Sequence, residues 1–208
     1  MKIKMKTIEL AIVAFVLINF DPFNLNAQTT PQPETLLGNK KISKNVGFML
    51  APTFGLTSMD GSAASLFSLR GGAVFNDKLT VGGFYSLSLN QIQPKSETIP
   101  NIYMDYRAAG GFVEYTAFSN KLLHLTFPLF IGGGEVEMDN DNGSDLELGE
   151  RNFFLIEPTV MAELNLHKHV RLNLGTGYRF VGNMNYRNMN QADISGVVGF
   201  MGLKFGFF

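Results

Sequence analysis

The 208-residue chain has no cysteine, no tryptophan and few charges of either sign. Without cysteine there is no disulfide framework, no thiolate metal site and no thiol for lipid attachment at a mature N-terminus. Charged residues make up 17% and the formal net charge is −1. With no basic run and no basic patch interleaved with aromatics, the footprint of a nucleic-acid binder is missing. Long apolar runs are missing too. The longest, Ile8 to Phe20, is broken by Glu9 and Asn19 and falls well short of the ~20 residues a membrane-spanning helix needs. No segment after residue 45 holds a helical period.

Glycine (22) and phenylalanine (19) are abundant, which suits β-structure with close backbone approaches. The start of the chain reads as a secretory signal over residues 1–27. Lys2, Lys4 and Lys6 precede the apolar stretch, Asp21 and Pro22 close it, and Leu25-Asn26-Ala27 offers a cleavage site near Ala27. Residues 28–44 are polar, carry two prolines and show no period, as expected of a flexible leader.

From there the pattern is all β. HVRLNLGTGYRF, residues 169–180, places Val170, Leu172, Leu174, Tyr178 and Phe180 on one face and Arg171, Asn173 and Arg179 on the other. Eight such segments lie near 45–57, 63–75, 79–90, 102–118, 122–136, 152–166, 170–182 and 193–208. Three connections are very short: 76–78, 119–121 and 167–169. Four are longer and more polar: 58–62, 91–101, 137–151 and 182–192. Short turns at one end and long loops at the other, with strands of ten residues or more, are the pattern of a transmembrane barrel. The fold class is therefore a closed, eight-stranded, antiparallel up-and-down transmembrane β-barrel over 45–208. Its apolar faces would meet lipid and its interior would be filled by side chains.

The polar face carries acids and bases in near balance, while lysine is almost confined to turns. Arg70, Glu157, Glu163, Arg171, Arg179 and Lys204 are expected inside, since an enclosed charge needs a partner. With a three-residue turn at 167–169, Glu157 faces Arg179, which predicts an interior ion pair. Asp105 and Arg107 have odd parity and Glu114 even. A β-bulge near Gly110-Gly111 would bring all three inward and complete the network.

On these features the chain resembles the OmpA/OmpX-like eight-stranded outer-membrane barrels of Gram-negative bacteria over roughly residues 45–208. The resemblance implies outer-membrane localisation, contact with outer-membrane lipid and lipopolysaccharide, and a terminal aromatic read by the assembly machinery, here Phe208. Phe208 shares its parity with Lys204 rather than with the apolar face, a departure from the usual pattern.

Candidate chemistry is sparse. The segment 135–150 holds Asp139, Asp141, Asp145, Glu147 and Glu150, a candidate weak cation-binding loop. Counted from Asp139, however, Gly143 stands at position 5 where an EF-hand has glycine at 6, so a dedicated metal site is not expected. His124 lies close to a short turn with no serine at a hydrolase spacing, which favours an interior hydrogen-bonding role. No cofactor is implied. The reading is a non-catalytic integral outer-membrane protein with a structural or adhesion-like role through its long loops and an extracellular partner. The alternatives are a lipid-modifying barrel enzyme and a soluble, secreted, lipocalin-like binder, the latter requiring the apolar face inward.

Overall fold

The computed structural model describes residues 46–99, 101–140 and 149–208. The expected signal (1–27), the leader (28–44) and three of the acidic-loop residues, Asp141, Asp145 and Glu147, lie outside the described residues. Eight strands form a closed barrel: β1 (Val46–Met59), β2 (Ser62–Phe75), β3 (Leu79–Ser88), β4 (Ile102–Ala117), β5 (Leu123–Asn140), β6 (Glu150–His167), β7 (Val170–Gly182) and β10 (Gly196–Gly206). Each pairs antiparallel with its neighbour in the chain. β10 closes on β1, with Leu50 opposite Phe205 and Phe54 opposite Met201. Between β7 and β10 lie a two-residue hairpin, β8 (Asn185–Tyr186) and β9 (Met189–Asn190), and one helical turn, α1 (Gln191–Ile194).

Alternation decides the faces. Phe48, Leu50, Phe54 and Leu56 of β1 point outward. So do Leu123, Leu125, Phe127, Leu129 and Ile131 of β5, and Leu172, Leu174, Tyr178 and Phe180 of β7. Val197, Met201, Leu203 and Phe205 of β10 complete the belt. The strands of the barrel bury Arg70, Glu114, His124, Glu163, Arg171 and Lys204 inside. The lipocalin-like alternative needs Glu157, Glu163, Arg171 and Arg179 in water, and all four are buried.

A band of glycine crosses four strands. Gly72 faces Gly82, Gly83 faces Gly111, and Gly110 faces Gly132. A Cβ at Gly82 would collide with the Gly71 carbonyl, and one at Gly110 with the Ile131 carbonyl. The wall can therefore bend sharply here. The rings of Phe84, Phe112 and Phe130 fill the space inside, with Phe84 edge-on to Phe130 at 5.2 Å.

Three connections differ from the sequence expectation. The 58–62 segment is not a long loop but a tight turn at Asp60-Gly61, with φ of 45° and 72°. That pair of positive values matches the Asp-Gly preference of two-residue hairpins. Residues 135–140 of the acidic segment are strand, because β5 runs on to Asn140, and β6 starts at Glu150. The turn at 167–169 carries a register shift between Asn165 and His167.

Candidate functional site: a filled lumen beneath a lid

The interior charges form two tiers. In the tier nearer the short turns, Glu163 is the hub. It lies 3.2 Å from His124 Nε2, 3.7 Å from Arg171 Nη1 and 3.9 Å from Arg70 Nη2, and it pairs with the Lys204 ammonium. Glu114 accepts from Arg70 Nη1 at 2.8 Å and from Lys204 Nζ at 2.6 Å. The Arg171 guanidinium stacks 3.6 Å from the Phe208 ring centroid. Phe208 therefore turns inward with Lys204 and packs against the lower core, as its parity indicates. In the second tier Arg179 Nε donates to Glu157 at 3.1 Å, and its guanidinium lies 4.7 Å from the Tyr106 ring centroid. The pairing of Glu157 with Arg179 is the one predicted from turn length. It holds because the turn has two residues, with His167 opposite Val170, and the shift at Asn165/His167 adds the third, which restores the predicted register and leaves Leu155 opposite Val181.

Asp105 and Arg107 are corrections, both lying on the outer face. No bulge interrupts β4 at Gly110-Gly111, and its ladder with β5 runs in register from Ile102 to Ala117. Even positions stay inside and odd ones outside, so Glu114 is buried while the Arg107 side chain is 47% exposed. Arg107 is partnered on the outer wall by Glu135 at 3.3 Å and Glu137 at 3.5 Å. It needs no interior partner because it lies beyond the apolar belt.

The long-loop end is closed by a packed lid. Ile92, Met184, Met189 and Ile194 from the loops join Met59, Met104 and Met138 from the strand ends in one apolar cluster. Polar stitches hold it. Asp60 accepts from the Ser96 backbone and hydroxyl, both at 2.7 Å. Arg187 Nε donates to Glu97 at 2.6 Å, and Tyr186 donates to the Gly149 carbonyl at 2.7 Å. Burial raises the Glu97 carboxyl. The hydrogen bonds from Arg187 and from the backbone of Ile99 and Thr98 outweigh that, and the net shift is below the ordinary glutamate value. Sequence reasoning missed this clasp; only the Asp60-Gly61 dipeptide signalled part of it.

Of the candidate cation-binding residues, Asp139 and Glu150 sit on strands, opposite Tyr103 and Glu137 respectively. Among the described residues no group of three metal-ligating side chains is gathered. His124 is buried against Glu163 and the Lys121 carbonyl, on the side away from the lid. Between the tiers lies a cavity of about 30 Å³, room for one or two waters.

A closed eight-stranded wall is the fold found in several solved structures. Neisserial surface protein A matches with a TM-score of 0.55 at 15% identity, covering 79% of this chain and 98% of that one. The fold is that of the eight-stranded outer-membrane barrels. Ail of Yersinia pestis, solved in complex with the heparin analogue sucrose octasulfate, shares this barrel with a TM-score of 0.50 at 14% identity, over 78% of this chain and 97% of Ail. The N-terminal barrel domain of Pseudomonas aeruginosa OprF matches with a TM-score of 0.50 at 10% identity, over 77% and 97%. The OmpA/OmpX-like resemblance thus holds at the level of fold. No protein-family model and no curated protein sequence matches the chain.

Proposed function

We propose that the chain is an integral outer-membrane protein, exported by its N-terminal signal and cleaved near Ala27, with a non-catalytic structural or adhesion-like role at the cell surface. The observation that carries this reading is the continuous outward belt of large apolar side chains around a wall whose charges face in. In water such a belt is an aggregation hazard; in lipid it is the solvent-matched surface. Absence of catalysis rests on the locked state of the interior: Glu114, Glu157, Glu163 and His124 are all buried and held by partners.

Lipid and lipopolysaccharide are the partners of the belt, and the assembly machinery is the partner of Phe208 in the chain before it folds. The outer wall beyond the belt exposes Asp105, Glu137 and Glu150, with Glu135 half-buried beside them. This acidic rim suits a cationic partner, or lipid phosphates bridged by divalent cations, better than the polyanion held by the Yersinia barrel. The stitched lid presents Lys95, Arg187 and Asn188 on an ordered platform for an extracellular partner. Outer-membrane fractionation, with gel migration before and after boiling, tests the reading. A heat-dependent mobility shift in the outer-membrane fraction is expected. Recovery as a soluble protein without a shift would overturn it.

A further inference from the structure

Among the described residues only Lys204 is a lysine on a strand, and three of the others mark one end of the barrel. Lys78, Lys121 and Lys168 stand in the short turns β2–β3, β4–β5 and β6–β7. Antiparallel order puts all three turns at the end opposite the lid. Two of the turns repeat one design. In Phe75-Asn76-Asp77-Lys78 and in Phe118-Ser119-Asn120-Lys121 the lysine backbone N–H donates to the phenylalanine carbonyl, at 3.1 and 2.9 Å. Phe75 and Phe118 are exposed, and so are Lys78 and Lys121. In the third turn Lys168 is half-buried between His167 and His169, and the His169 ring meets the exposed Phe207 edge-on at 4.8 Å.

Among the described residues none of these three ammonium groups has an ion-pair partner. The turns hold one carboxylate, Asp77, which is half-buried and acts on Arg171 inside the barrel. The far end has the opposite character, with Asp105, Glu137 and Glu150 exposed on the outer wall beyond the belt. Charge is thus polarised along the barrel axis, and the basic end is spread over three hairpins. A lysine beside an aromatic ring at the edge of an apolar belt is an interfacial anchor. The ring sits at headgroup level, and the ammonium reaches in among the headgroups. There an unpaired cation is drawn to a negative headgroup, while a zwitterionic one offers no net charge.

We propose that this rim binds anionic phospholipid headgroups of the periplasmic leaflet through Lys78, Lys121 and Lys168, and selects them over zwitterionic ones. The inference rests on the outer-membrane reading above. Lipid suits the rim better than an acidic protein because Phe75 and Phe207 face outward with the belt, on the side that lipid covers.

The full chain is folded into phosphatidylcholine vesicles carrying a trace of spin-labelled phosphatidylglycerol or spin-labelled phosphatidylcholine, and the fraction of each label immobilised at the protein is measured. In low salt the anionic lipid should associate roughly fivefold more strongly, and high salt should weaken that preference. It should vanish in K78Q/K121Q/K168Q and persist in Lys95→Gln, which alters the lid end. If the triple variant fails to fold, Lys78→Gln and Lys121→Gln are measured singly, and each should lower the preference. Equal association of the two lipids with the wild-type protein would overturn the proposal and leave the lysines to an acidic protein. A preference untouched by the substitutions would overturn it as well. Gel migration before and after boiling is read on every sample. Wild-type protein with no shift would overturn the outer-membrane reading, and this proposal with it.

Discussion

Glu163 on β6 and Lys204 on β10 form an ion pair inside the barrel although their strands are not neighbours. Between them stands β7, whose Asn173 faces Glu163 on one side and Gly202 on the other. Glycine at 202 lets the Pro52 carbonyl and Thr53 of β1 approach closely. Removing the hub should therefore be costly. Glu163→Ala leaves Arg70, Arg171 and Lys204 to share Glu114, and breaking one side of a buried ion cluster costs about 3–5 kcal/mol. The expected readout is a large drop in the urea midpoint of the protein in micelles.

The second tier allows a sharper contrast. Glu157→Leu alone leaves Arg179 uncompensated and should destabilise strongly. The double substitution E157L/R179M replaces the pair by apolar side chains of similar volume, an exchange that is often neutral or stabilising. Recovery of the wild-type unfolding midpoint in the double variant is the expected outcome of this comparison.

Leu174 is 63% exposed on the outer face of β7. In a soluble protein, replacing an exposed leucine by arginine changes stability by roughly 0.5 kcal/mol or less. On a lipid-facing wall near mid-membrane the cost is about 2–4 kcal/mol. Leu174→Arg should show the larger value in bilayers, measured by reversible unfolding from vesicles.

Gly82 and Gly83 are neighbours on opposite faces of β3. A Cβ at position 82 meets the Gly71 carbonyl, whereas one at 83 finds nothing nearer than the Gly110 carbonyl at 3.5 Å. Gly82→Ala should destabilise by about 1–3 kcal/mol through forced backbone movement, and Gly83→Ala should be tolerated. Parallel thermal melts separate the two.

The clasp between Glu97 and Arg187 has a defined pH dependence. A carboxyl depressed in the folded state stabilises above its unfolded value and loses that contribution as pH falls through the folded value. Protease cleavage within 89–101 and 183–195 should stay slow from neutral pH down through the usual carboxylate range and accelerate only below it. In Glu97→Gln that acceleration should disappear.

The strand number and the inward and outward faces were legible because alternation marks them directly; the Glu157–Arg179 pair was legible because a two-residue turn and a one-residue shift at Asn165/His167 add up to the three-residue turn expected. Arg107 was not, since the expectation that a charge must lie inside fails where the outer wall stands beyond the apolar belt. The lid was illegible for a different reason. Ile92, Met184, Met189 and Ile194 are scattered through segments without a period, and only tertiary packing brings them together. The acidic stretch misled by composition: its carboxylates at 135, 137, 139 and 150 are strand residues, which a run of polar side chains disguises as loop.

The backbone ladders tie each strand only to its two neighbours, around the circumference. The ionic contacts run otherwise: β2 to β4 through Arg70 and Glu114, β10 to β4 through Lys204 and Glu114, and β10 to β6 through Lys204 and Glu163. They act as struts across a tube whose wall is thinned by its glycine band. A hollow cylinder with such a band would flatten under lateral pressure from the bilayer; one braced along several chords keeps its cross-section.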